Sequence, residues 1–312
     1  MQKYQSRKDK INVQEVNTYA LDNVCELIAR AENKFGEQIK SVCDSIVTEH
    51  KNIILLCGPS SAGKTTTSIM MAEEIASSGM KCVRVSLDNF YKNRNDVPFW
   101  KNGNRNFETI ESLDMEYFKD RVGELMSKGH ANFPVFDFTI GTRSDRTFEV
   151  EFDDNTYIIF EGIHALSPHF DECISTEKSM RIYMSVHTNF VETNGDKVLT
   201  ARDLRLVRRI IRDNWGRATS PLETLAFWDD VCRGEDKYIH PYRVLADAHI
   251  VSAHSYEPAV YRDEFLEIMS DCVSDKYQDI VDHLRYAMGQ FVSIDRSMIP
   301  KTSLLKEFIK LH

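Results

Sequence analysis

The residues best suited to chemistry lie in one run of eight, Gly58-Pro59-Ser60-Ser61-Ala62-Gly63-Lys64-Thr65, which fits the spacing G-x-x-x-x-G-K-[ST]. Glycines at 58 and 63 allow the tight curl that turns successive backbone N–H groups toward one anion. Ser60, Ser61, Ala62 and Thr66 complete the expected cradle. Lys64 supplies a point charge for the β- and γ-phosphates of a nucleotide such as ATP, and the Thr65 hydroxyl is a candidate ligand for Mg²⁺. The flanks suit the same reading. Ile53-Ile54-Leu55-Leu56 is an apolar, β-branched run suited to a buried strand. Ile69, Met70, Ala72 and Ile75 follow at helical spacing, so a helix N-terminus should add its dipole to the cradle.

Other groups fall where such a ligand could use them. Asp88 follows the strand-like run Lys81 to Leu87 and is the candidate general base for an attacking hydroxyl. Glu161 closes the apolar run of Thr156 to Ile163, a place for a carboxylate that orients Mg²⁺ or its water. Arg205, Arg209 and Arg212 share a helix face at i, i+4, i+7, with Arg208 nearby and Arg217 in the following loop. Stacked guanidinium groups repel, so such a row awaits an anion. As a lid over ATP, this row would exclude water and stabilise the transferring phosphoryl group; a solvated face paired with Asp203 and Asp213 is the bland alternative. Tyr91, Phe107, Phe136 and Phe138 could form a slot for a flat base, or simply be core. His164 and His169 read as structural.

The elements that must position these groups follow from periodicity. Apolar residues between Thr18 and His50 recur at helical spacing, with Gly36 expected to divide or kink the helix. Met115 to Ser127 is an expected helix capped by Asp114, and Ala131 to Asp153 an expected β-hairpin standing off the main sheet. Met180 to Val186 and Asp247 to Ala253 read as further strands, and Ala201 to Asp213 as the arginine-bearing helix. Strands alternating with helices around a phosphate loop predict an α/β fold: a doubly wound parallel sheet with helices on both faces, a hairpin insertion and an Arg-rich lid. The expected division is a helical appendage over 1–50, a nucleotide-binding core over 51–253 and a helical extension over 254–312.

Composition narrows the function classes. The 312 residues are 42% hydrophobic and 28% charged, within the range of globular proteins. A net charge of −9 argues against an extended nucleic-acid surface. Seven cysteines at irregular spacing, without a C-x-x-C pair, read as reduced thiols and a cytoplasmic setting. The polar start lacks a signal-peptide core, and no apolar run reaches membrane-spanning length, so no membrane partner is expected. A homo-oligomer stays open. A GTPase-like switch would need an N-K-x-D motif, which is missing.

Five motifs in order, G-P-S-S-A-G-K-T-T, D-N-F-Y, P-V-F-D-F, F-E-G-I and R-R-I-I-R-D, resemble the uridine/cytidine kinase family of the phosphoribulokinase/uridine kinase group, over roughly residues 50–250. The stretch Pro300 to Ile309 resembles the end of longer bacterial uridine-kinase-like proteins, whose extra synthetase-like domain is not expected here. The resemblance implies a P-loop kinase that transfers the ATP γ-phosphate to the 5′-hydroxyl of a nucleoside. By the same resemblance Asp88 is the base, Tyr91 and Phe107 contact the nucleobase, and Asp137 contacts the ribose. Arg209, Arg212 and Arg217 match lid arginines. Gly141 stands where uridine kinases carry a histidine that helps recognise the pyrimidine, and the Asp213 to Arg217 lid loop is shorter than the family's. A kinase of another small hydroxyl compound, such as a sugar phosphate or pantothenate, therefore stays open, as does a nucleotide-binding regulator without catalysis.

Overall fold

The computed structural model describes residues 4–5 and 7–310. A short strand β1 (Asp9–Asn12) leads into helices α1 (Val13–Asp22) and α2 (Val24–Thr48). The helix break falls at Asn23, not at Gly36. Phe35 and Ile39 are buried on either side of Gly36, and packing of that face outweighs the roughly 0.5–1 kcal/mol that a mid-helix glycine costs.

Strand β2 (Ile53–Cys57) is buried at every residue and ends at the phosphate loop, which opens into α3 (Lys64–Ser77). Strand β3 (Lys81–Ser86) passes into a single 3₁₀ turn, Leu87–Phe90. Helix α4 (Met115–Lys128) is capped by the Asp114 side chain on the Tyr117 N–H. The antiparallel hairpin pairs β4 (His130–Asp137) with β5 (Thr142–Glu151), apart from the main sheet. Strands β6 (Thr156–Gly162), β7 (Ser179–Ser185), β8 (Thr188–Val191) and β9 (Lys197–Leu199) follow, then α5 (Ala201–Gly216), α6 (Pro221–Gly234) and β10 (Ala248–Val251). Helices α7 (Glu257–Met269) and α8 (Gln278–Gly289) precede the last short turns.

The main sheet has five parallel strands in the order β10-β7-β2-β6-β3. A fully parallel sheet is covered on both faces, which is why β2 and β6 are apolar along their whole length rather than alternating. One core under the sheet joins α2, α3, α5, α7, α8 and the closing residues through Ile309; a second, on the other face, joins α4 and the hairpin through Phe90, Phe118, Phe133 and Phe160. Among the described residues no helix is long and apolar enough to cross a membrane.

Helix α5 outruns its expected length. Asp213, Asn214 and Trp215 are helical, not loop. The Trp215 indole donates to the Phe308 carbonyl at 2.8 Å, and Asp213 accepts from Arg212 and lies in ion-pair range of Arg209 and Arg217, which together hold the last turn.

Candidate functional site

The phosphate loop owes its shape to two left-handed residues and to what lies behind it. Ser61 and Gly63 have φ of 59° and 96°, and the Ala62 N–H closes a turn onto the Pro59 carbonyl at 3.2 Å. Behind the loop, Arg205 Nε donates to the Ser60 carbonyl at 2.9 Å, and Arg208 Nη1 donates to the carbonyls of Ser61 and Ala62 at 3.1 and 3.3 Å. A planar trans peptide points its N–H away from its C=O, so drawing the Ser60 and Ala62 carbonyls backward turns the Ser61 and Gly63 amides toward the cleft. Both guanidinium groups are buried and paired. Arg205 meets Glu235 at 2.6 Å, and Arg208 binds both carboxylate oxygens of Glu257, the Nη2 contact at 2.7 Å.

The arginine row thus divides. Arg205 and Arg208 brace the loop, whereas Arg209, Arg212 and Arg217 line the cleft in front of it. These last three share buried Asp213, at 3.3, 2.8 and 3.5 Å. Arg209 also donates to Ser60 Oγ at 3.0 Å. Burial and crowding by Arg212 hold the Arg217 guanidinium below its usual basicity, a surplus of positive charge that an entering phosphate would relieve. Asp203 takes no part. It closes a capping box with Thr200 at the start of α5.

Opposite the arginines, two carboxylates sit at the ends of neighbouring strands. Ser86 of β3 lies in register with Glu161 of β6, and the Ser86 hydroxyl accepts from the Asp88 N–H at 3.4 Å. Gly162 permits the approach: a Cβ there would stand 2.8 Å from Leu87 Cβ. Asp88, Glu161, Lys64 and Thr65 all line one cleft of about 1020 Å³. Burial pushes the Asp88 carboxyl above its ordinary range, against the pull of Lys64 and Arg217. Burial, then the neighbouring Asp88, pushes Glu161 up as well. Two desolvated acids beside one lysine, Glu161 buried and Asp88 half-buried, are a hard-oxygen set that suits Mg²⁺.

The far end of the cleft is aromatic. The Tyr91 ring meets Phe107 and Phe136 edge-on at 5.8 and 6.1 Å, and Phe136 lies 5.0 Å from the exposed ring of Phe138. The loop after β3 fixes this wall: Asn89 Oδ1 accepts from the Phe136 N–H at 3.1 Å, and the Arg94 N–H donates to the Gly141 carbonyl at 2.8 Å. Asp137 is the exception among the expected substrate residues. Its carboxylate accepts from the N–H groups of Thr139 and Ile140 at 2.9 and 3.2 Å, capping the hairpin turn, and is not among the cleft residues. A carboxylate that does enter is Glu108, beside Phe107, and burial pushes its carboxyl up to about 7. Sequence reasoning passed over it inside a polar loop; its neighbourhood to an aromatic candidate was the available signal.

Three residues of the expected cradle stand outside the cleft lining. Gly58 packs so tightly on Met184 that a Cβ would lie 2.4 Å from its carbonyl oxygen, and Ala62 is buried behind the loop. The Thr66 N–H donates to Glu307 Oε2 at 3.0 Å, from the C-terminal segment. His164 is buried and held neutral, its pKa lowered to about 3 by desolvation. It serves packing.

Loop, parallel sheet, paired acids and arginine-bearing helix define a P-loop kinase fold. The chain belongs to the phosphoribulokinase/uridine kinase family, whose family model matches residues 53–256. Membership places it among phosphotransferases, and it is similar to several bacterial uridine kinases. It is 28% identical over 179 residues to the uridine kinase of Mycoplasma genitalium, covering 57% of this chain and 74% of that one. It is 31% identical over 171 residues to that of Lactobacillus helveticus, with 54% and 70% covered. The uridine kinase of Deinococcus deserti is 26% identical over 209 residues, with 67% and 91% covered.

Proposed function

We propose that the chain transfers the γ-phosphoryl group of ATP to the 5′-hydroxyl of a nucleoside. The observation that carries this reading is that Asp88 shares one cleft with Lys64 and the arginines on one side and the Tyr91, Phe107 and Phe136 wall on the other. Asp88 takes the proton of the attacking hydroxyl, and burial makes its carboxylate more basic than an exposed one. Lys64, Arg209, Arg212 and Arg217 offset charge on the phosphoryl oxygens as the bond to the leaving phosphate breaks. The aromatic wall orients a flat base, and Glu108 accepts from an acceptor hydroxyl. Thr65 and Glu161 would hold Mg²⁺, which supplies charge neutralisation on the phosphates when bound. The uridine kinases among the relatives favour a pyrimidine nucleoside. ADP formation against a panel of nucleosides tests the proposal; turnover with none of them, but with another alcohol, would sink it.

One observation favours a second reading. At Gly141, where a histidine would sit, Arg94 fills the space: its Nε lies 2.7 Å from the position of an added Cβ. Arg94 lines the cleft and pairs with no carboxylate among the described residues. A cation there suits a small hydroxyl acceptor that carries an anionic group, such as a sugar phosphate. Adding such acceptors to the same panel decides between the two.

A further inference from the structure

The C-terminal segment ends on the phosphate cradle. Between Ser303 and Ile309 the side chains of Leu304, Leu305, Phe308 and Ile309 are all buried. Leu304 lies directly on Gly63, where an added Cβ would be 2.6 Å from its Cδ1. Phe308 covers the Arg208 guanidinium, 4.7 Å from its ring centroid, and its carbonyl accepts from Trp215. Between these anchors Glu307 reaches into the cleft and accepts from the Thr66 N–H at 3.0 Å. Thr66 is in the first turn of α3, whose N-cap, Gly63, offers no side-chain bond. An orphan amide at a helix N-terminus attracts negative charge, and in this sequence pattern such amides belong to the bound phosphates. Glu307 stands where a phosphate oxygen would.

We propose that Glu307 sets the affinity for the nucleotide donor: its carboxylate mimics phosphate on the Thr66 amide and swings off, on a fixed main chain, when the donor binds. The proposal rests on the reading of this cleft as an ATP site. The side chain moves rather than the segment, because four buried apolar side chains hold the backbone while a single hydrogen bond holds the carboxylate. A donor must displace that bond and tolerate a further negative charge, which also bears on Glu161. The apparent affinity therefore lies below what the cradle alone would give.

Dissociation constants for Mg·ATP and for ADP, measured by calorimetry without any acceptor, test this in wild type, Glu307→Gln and Glu307→Ala. Loss of a charge-assisted hydrogen bond should tighten donor binding by about tenfold in each variant. The nucleotide-free variants should also melt below wild type, since the helix loses a cap, yet gain a larger thermal shift from ADP. The near-isosteric Gln variant decides the matter if the Ala variant does not fold. Unchanged or weaker donor binding in Glu307→Gln, with ATP still bound by wild type, overturns the proposal alone. Absence of ATP binding in every form overturns it together with the donor-site reading, and a wrong acceptor assignment affects neither result.

Discussion

Arg208 and Glu257 form a fully buried bidentate ion pair directly behind the phosphate loop, joining α5 to the start of α7. The guanidinium is further satisfied by the carbonyls of Ser61, Ala62 and Ser252. Removing one partner of such a pair strands a buried charge. Glu257→Gln should destabilise the chain by ~3–5 kcal/mol, read as a lower urea midpoint. Glu257→Gln should also weaken ATP binding, since Arg208 then competes for new partners and the loop loses its brace. An unfolding free energy within ~0.5 kcal/mol of wild type, with ATP binding unchanged, would show that the pair does not hold the loop.

Asp88 is half-buried at the mouth of the loop. Asp88→Asn keeps its shape and removes its basicity. If Asp88 takes the acceptor proton, kcat should fall by about 10²–10⁴ while the dissociation constant for ATP changes little. Equal turnover in the two forms would remove Asp88 from the chemistry.

Glu108 gives a pH signature with a definite sign. Its folded carboxyl titrates at about 7, against an ordinary value of 4.5. Between those values the folded chain holds a proton that the unfolded chain has released, so the native state binds more protons and stability falls as pH rises through this window. Glu108→Gln cannot titrate. The wild-type stability minus that of Glu108→Gln should therefore decline from about pH 4.5 to pH 7 and level off above it. A flat difference in urea midpoints across that range would mean the carboxyl is not desolvated.

Local pattern carried much of the fold and the centre of the site into view. The phosphate loop and Asp88 each follow a strand, and Glu161 closes one, whose apolar run is visible within six or seven residues, so their place at the carboxyl edge of the sheet was legible. What stayed hidden depended on distant partners. Arg205 and Arg208 look like lid residues on a helical wheel, but Glu235 and Glu257, 30 and 49 residues onward, draw them inward. Glu307 meets Thr66 across 241 residues, which no spacing rule reaches. Asp137 is placed by short-range bonds instead, its carboxylate accepting from the amides of its own turn.

Gly162 keeps the two acids adjacent, and Gly162→Ala tests the geometry without touching either. The added methyl would sit 2.8 Å from Leu87 Cβ and 3.1 Å from its Cδ1. Leu87 is buried against Phe90 and the core of the second face, so it has little room to retreat. Overpacking of this kind costs ~1–3 kcal/mol, and relief comes most readily by shifting the exposed side of the turn, which is where Asp88 stands. The expected outcome is a modest loss of stability with a much larger loss of kcat, because a displacement of about 1 Å at a reacting group costs on the order of 10²-fold. Binding of ATP should persist, since the arginine braces of the loop come from α5 and not from the turn that carries Leu87. If kcat and stability fell in proportion, as they would for simple partial unfolding, the position of Asp88 relative to Glu161 would not be what the glycine protects.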